Sequence, residues 1–215
     1  MGELLFRTMS GQITSRIRER ILAGIYAPGS QLLQDGIAAE FGVSKIPVRE
    51  ALVQLRSEGL VDIFAHRGFQ VRPMSSAEVN EVFSLRLAIE PDAVASGARL
   101  ASAADRVTAK ASLDALNAVL ASGDIASSAD LHTNYHLSLI VPHRQAVTHE
   151  ILSRLHNISQ RYVRLHLIAK GRVKRANAEH CALYESWAGG KARDARRHVQ
   201  GHIEVTRDEL KELVT

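Results

Sequence analysis

Gly42-Val43-Ser44-Lys45-Ile46-Pro47-Val48-Arg49-Glu50-Ala51-Leu52-Val53-Gln54-Leu55-Arg56-Ser57-Glu58-Gly59-Leu60-Val61 is the stretch on which the fold of this chain turns. Gly42 suits the left-handed residue that ends a preceding helix over 34–41. Ser44 is placed to cap a new helix, and Pro47 falls in its first turn, where a missing N–H costs little. Val48, Ala51, Leu52 and Leu55 then recur at helical spacing and predict one buried stripe. Gly59 stops the helix. Residues 60–64 and 68–72 read as two strands around the turn Ala65-His66-Arg67-Gly68. Upstream, Ile13, Ile17, Ile21 and Leu22 mark a first helix, ended by Gly24 and Ala27-Pro28-Gly29. The order is helix, helix, turn, capped helix, hairpin: a helix-turn-helix followed by a wing.

Such a unit sets the start of its last helix against the major groove of a duplex. Ser44, Lys45, Pro47 and Arg49 are the candidate contact residues there, and Ile46 suits a thymine methyl group. Arg49 has the fork that donates two parallel hydrogen bonds to guanine or to phosphate. Lys45 places a cation at a helix start, where the macrodipole disfavours it, which hints at an anionic partner. His66, Arg67 and Gly68 form the wing tip, suited to a phosphate strand or a narrow minor groove. Taken singly, each is an ordinary solvated side chain; their order points to double-stranded DNA.

The 215 residues carry 27 Lys+Arg against 23 Asp+Glu, a net charge of +4 that by itself only permits a polyanionic partner. Cys181 is the single cysteine, so no intramolecular disulfide forms and a cytoplasmic location is expected. No apolar run is long enough for a bilayer, and the start of the chain lacks the layout of a secretory leader.

The boundary falls near Arg72-Pro73-Met74-Ser75-Ser76. Residues 1–73 form the winged helix-turn-helix domain. Residues 76–215 read as helix after helix, near 76–101, 104–121, 125–141, 144–170, 176–189 and 191–214, and predict an antiparallel bundle. The protein is thus mainly α. Ser75 or Ser76 can cap the first of these helices, with Glu78 in its first turn.

His132 and His136 lie four apart on one helical face, a spacing that lets two imidazoles grip one ion. His180 and His202 fall in two later helices, and bundle cores can gather ligands from several helices. Spacing alone does not decide whether the four converge. A metal-dependent hydrolase is the alternative reading of this cluster. It would need a positioned general base, but Glu179, beside His180, points to a different side of the helix, and no phosphate loop or activated nucleophile is present. A nonspecific DNA binder would not need so large a second part.

Residues 14–73 resemble the winged helix-turn-helix of the GntR family of bacterial regulators. The resemblance rests on Ile17-Arg18-Glu19-Arg20-Ile21-Leu22, Pro28-Gly29-Ser30-Gln31-Leu32, Phe41 through Leu52, Glu58-Gly59-Leu60-Val61 and Arg67-Gly68-Phe69-Gln70-Val71. It implies DNA contact by Ser44, Lys45, Pro47, Arg49, His66, Arg67 and Gly68. Lys45 stands where arginine is usual, and Asp35 where some members carry a DNA-contacting arginine. Residues 76–214 look like the all-helical FCD domain of the FadR-type branch, through Leu85-Arg86-Leu87-Ala88-Ile89-Glu90, Leu131-His132-Thr133-Asn134-Tyr135-His136, Glu179-His180 and Gly201-His202-Ile203. Many members bind a divalent metal through one aspartate and three histidines. His136, His180 and His202 match the three histidines, and His132 stands at the aspartate position. An all-histidine set suits zinc or nickel better than magnesium or calcium. The resemblance further implies a homodimer on a palindromic operator and a transcription regulator, typically a repressor. Its effector is expected to be a small carboxylate, with Arg86, Arg161 and Arg164 as candidate contacts. His143, His149, His156, His166 and His198 are expected at the surface or in packing.

Overall fold

A computed structural model describes residues 8–64, 68–168 and 172–214. The chain divides into two compact units, Met1–Met74 and Ser75–Thr215. In the first, α1 (Met9–Leu22) buries Ile13, Ile17 and Ile21 at successive turns, and Thr8 caps it by accepting from Gly11 N–H. β1 (Gln31–Leu32) and α2 (Gln34–Phe41) follow. Gly42 closes α2 at φ 66°, ψ 35°, the left-handed conformation that glycine adopts without a Cβ clash. α3 (Lys45–Ser57) buries Val48, Ala51, Leu52 and Leu55 against α1. Arg18 forks onto the Glu58 carboxylate at 2.7–3.0 Å and ties α1 to the end of α3.

Ser44 occupies the N-cap position of α3, but its side chain makes no capping bond, contrary to expectation. β2 (Val61–Phe64) and β3 (Gly68–Val71) pair antiparallel, and β1 adds to the other edge of β3, giving the order β1-β3-β2. β1 was not expected: two residues carry no periodicity, and only the pairing of Gln31 with Gln70 and Leu32 with Phe69 makes them a strand.

The second unit is all helical: α4 (Ser76–Leu100), α5 (Ala103–Ala121), α6 (Ile125–Ile140), a 3-10 turn at Val141–His143, α7 (Ala146–Ile168), α8 (Arg172–Ala188) and α9 (Ala192–Leu213). Ser75 caps α4 by accepting from Glu78 N–H, and Ser102 with Asp105 forms a capping box on α5. α4 packs along α9 and also touches α6, α7 and α8, so it runs through the middle of the bundle.

Gly97 explains how closely two of these helices approach. A Cβ there would lie 2.0 Å from the Leu139 carbonyl oxygen, which already accepts 3.0 Å from the fully buried Trp187 indole N–H. Gly97→Ala should force α4 from α6 and destabilise this unit by about 3 kcal/mol or more, at the upper end of overpacking costs. Denaturant melts of the two proteins would measure it; equal midpoints would refute the close-approach reading.

Candidate DNA-reading surface and metal centre

The start of α3 is open. Ser44, Lys45 and Arg49 are exposed and Pro47 is half-buried. Ile46 is 71% exposed and so accessible to a partner. Lys45 Nζ lies 2.5 Å from Asp35 Oδ1, and both side chains face solvent. Asp35 therefore holds a cation of the reading helix. Gly68 opens β3 at φ 76°. His66 and Arg67 lie outside the described residues.

In the helical unit the four predicted histidines converge. His132 and His136 come from α6, His180 from α8 and His202 from α9; one ring nitrogen of each lies within 4.8 Å of those of the other three, and all four residues are buried. The His132–His136 and His180–His202 ring centroids are 4.5 and 4.6 Å apart. His136 Nδ1 is 2.9 Å from Glu90 Oε1, and His202 Nδ1 is 2.7 Å from Glu179 Oε2. His136 Nε2 and both His180 ring nitrogens are buried without a hydrogen-bond partner among the described residues. Tyr135 donates its hydroxyl to the His180 carbonyl at 2.8 Å, fixing that turn of α8.

Burial first, then the neighbouring imidazoles, keep His132 and His180 neutral well below the usual histidine range. Burial likewise lowers His136 to about 3, although Glu90 opposes it. Neutral imidazoles are the form that binds metal. Buried nitrogens without partners are costly unless something satisfies them. Donor type, burial and unpaired nitrogens all fit a divalent ion.

The metal-free protein should therefore be acid-sensitive. An unfolded histidine takes up a proton as pH falls through about 6.5, whereas folded His136 does so only near 3. Between those values only the unfolded chain binds that proton, so stability present above pH 6.5 is lost on acidification. His136 alone accounts for about 2 kcal/mol between pH 7 and pH 5. Thermal melts of chelator-treated protein at the two pH values would check it, and an unchanged midpoint would count against this environment.

The arginines differ from expectation. Arg86 is fully buried, and its guanidinium holds Glu90 at 2.8 and 3.3 Å. Arg161 is also buried and pairs with Glu78 at 2.8 Å. Neither is an open clamp, because a buried guanidinium needs an internal carboxylate. Arg164 belongs to α7, but its side chain lies outside the described part. Burial alone would raise the Glu90 carboxyl; Arg86, His156 and His136 outweigh it, so Glu90 is an anion.

His156 and His166 are more than packing residues. His156 Nε2 stands 3.2 Å from Glu90 Oε2 without the alignment of a hydrogen bond, and Glu90, His136 and His156 form a second close donor group. His166 Nε2 lies 2.6 Å from Glu209 Oε2, which Arg175 also grips at 2.7 Å. His166, Arg86, His132, His180 and His202 border a cavity of about 10 Å3, the space of one water. Anything larger must displace side chains. Glu179, weighed as a general base for a hydrolase, is instead engaged with His202.

The family model for bacterial regulatory proteins of the gntR family matches residues 9–71, and that for the FCD domain matches residues 81–205. The chain belongs to the GntR family and carries an FCD domain. This GntR regulator is 30% identical over 206 residues to the HTH-type transcriptional regulator BphR of Paraburkholderia xenovorans (strain LB400), covering 89% of this chain and 82% of that protein. The HTH-type transcriptional repressor RspR of Escherichia coli K12 is 38% identical over 79 residues, 37% of this chain and 35% of that one. Among solved structures, E. coli McbR/YncC superposes with a TM-score of 0.80 at 17% identity, covering 96% of this chain and 98% of that chain, a likeness of fold. Family membership makes the protein a DNA-binding transcription regulator rather than an enzyme, which replaces the hydrolase reading. Among the described residues no helix is long and apolar enough to cross a membrane.

Proposed function

We propose that this regulator acts as a homodimeric repressor on a palindromic operator, released by a small carboxylate-bearing effector in a metal-containing helical unit. The observation that carries the sensing half is the convergence of four buried imidazoles, with partnerless nitrogens on His136 and His180. Zinc or nickel suits that donor set. A divalent ion held by His132, His136, His180 and His202 would have to expand beyond four ligands to take up a carboxylate oxygen as a Lewis acid. Arg86 borders the same small cavity, its charge balanced by the Glu90 carboxylate that it grips.

Support for the reading half is the exposed start of α3 with Lys45, Ile46 and Arg49. A dimer follows from paired half-sites, which a two-fold protein reads in register. Repression is supported by the similarity of part of the chain, 37% and 40% of it, to two named repressors.

The test is footprinting of the purified chain on genomic fragments with and without zinc, followed by a carboxylate panel. One short palindrome should be protected, with affinity falling steeply as salt rises, and one carboxylate should release it only from metal-loaded protein. Protection without sequence preference, or release indifferent to every carboxylate, would overturn the proposal.

A further inference from the structure

Two carboxylates outside the histidine set stand where the centre needs orienting. Glu90 Oε1 is 2.9 Å from Nδ1 of His136, and Glu179 Oε2 is 2.7 Å from Nδ1 of His202. A carboxylate is an acceptor only, so each contact requires the imidazole to carry its proton on Nδ1. The lone pair of each ring then sits on Nε2. In His136 that Nε2 is buried with no partner among the described residues.

We propose that Glu90 and Glu179 are the positioning residues of this centre, fixing His136 and His202 as Nδ1–H tautomers whose Nε2 atoms face the ion. The assignment rests on reading the four imidazoles as a metal site.

Each carboxylate is itself held. Arg86 grips the fully buried Glu90 at 2.8 Å, and Arg175 lies 3.3 Å from the part-exposed Glu179. Arg175 also forks onto Glu209, the partner of His166, so the orientation of His202 is tied to the facing ends of α7 and α8. Hydrogen bonding of Nδ1–H to a carboxylate raises ligand basicity and locks ring rotation. The device has added weight here because all four inner donors are imidazoles, which bring no negative charge of their own. Among the described residues, Glu90 and Glu179 are the carboxylates hydrogen-bonded to rings of the set. Among the described residues no carboxylate bonds to His180 and both of its nitrogens are partnerless, so its tautomer is left for the ion to choose.

The test uses the full chain. Long-range proton–nitrogen NMR of metal-free, 15N-labelled protein should find His136 and His202 as Nδ1–H tautomers. Zinc affinity is then measured against a competing chelator for the wild type, Glu179→Leu and Glu179→Gln. Glu179→Leu should bind zinc about 10- to 100-fold more weakly and lose the fixed His202 tautomer. Glu179→Gln keeps an acceptor oxygen, so it should keep the tautomer and lose less affinity. Glu90→Gln is the parallel variant for His136. Should it fail to fold because Arg86 is left unpaired, the wild-type His136 tautomer carries that half.

An Nε2–H tautomer at either histidine, or unchanged zinc affinity in Glu179→Leu, overturns the assignment alone. Two zinc ions per chain, one lost in Glu90→Gln, also overturn it, by making Glu90 a direct ligand with His136 and His156. A wild type that takes up neither zinc nor nickel overturns the metal reading, and the assignment with it.

Discussion

His180→Ala is expected to abolish the divalent-metal binding proposed for the helical unit. His180 lies at the centre of the cluster, with its ring 4.6 Å from that of His202, 5.2 Å from His132 and 5.4 Å from His136. It is also the member whose two nitrogens both lack a partner among the described residues, so a bound ion would be its main source of satisfaction. Deleting it removes one of four donors and should weaken binding by more than the ~100-fold that marks the upper range for outer-sphere partners. Each ~100-fold of lost affinity removes about 2.7 kcal/mol of stabilisation at saturating metal. Metal-loaded variant should therefore melt well below metal-loaded wild type, and zinc should no longer raise its midpoint. Elemental analysis of the purified proteins gives the direct reading. Unchanged metal content in His180→Ala would remove the site from the protein.

Arg49→Ala is expected to abolish operator recognition and leave the fold intact. The side chain is exposed on α3, while the stripe that holds the helix, Val48, Ala51, Leu52 and Leu55, lies on its other face. Exposed substitutions of this kind change stability within about 0.5 kcal/mol. A bidentate base contact is worth about 1–3 kcal/mol. A two-fold dimer would lose it twice, so the expected loss is roughly 30-fold to 10^4-fold in operator affinity, with nonspecific binding less affected. Lys45→Ala should do less and act alike on all sequences, since Lys45 is a point charge already paired with Asp35. Mobility-shift titrations on operator and scrambled DNA separate the cases. An Arg49→Ala variant with wild-type discrimination would take Arg49 out of the reader.

The reading unit was legible because its determinants are local. Gly42, Pro47 and the Val48–Leu55 stripe act within one or two turns, and the structure repeats their pattern. The helical runs of the second unit were legible for the same reason. What stayed hidden depends on burial, or on partners far apart in the chain. Arg86 looked like an effector clamp because Glu90, four residues on, was not read as its buried partner, and Arg161 because Glu78 is 83 residues away. His156 and His166 looked incidental, since nothing in their own helix announces Glu90 or Glu209. Glu179 was noticed for its place beside His180, yet its role comes from His202 on the next helix. The four histidines could be named from the sequence; their convergence needed the bundle.

The Asp35–Lys45 contact gives the reading helix a resident counter-ion of its own. A phosphate that takes hold of Lys45 would share or displace that exposed carboxylate, at a cost of at most about 1 kcal/mol. On random duplex, where little else compensates, that cost shortens each stay. At a matched site Arg49 and its neighbours offset it. A regulator so equipped would trade grip for turnover during its search, sampling more of the chromosome between productive stops.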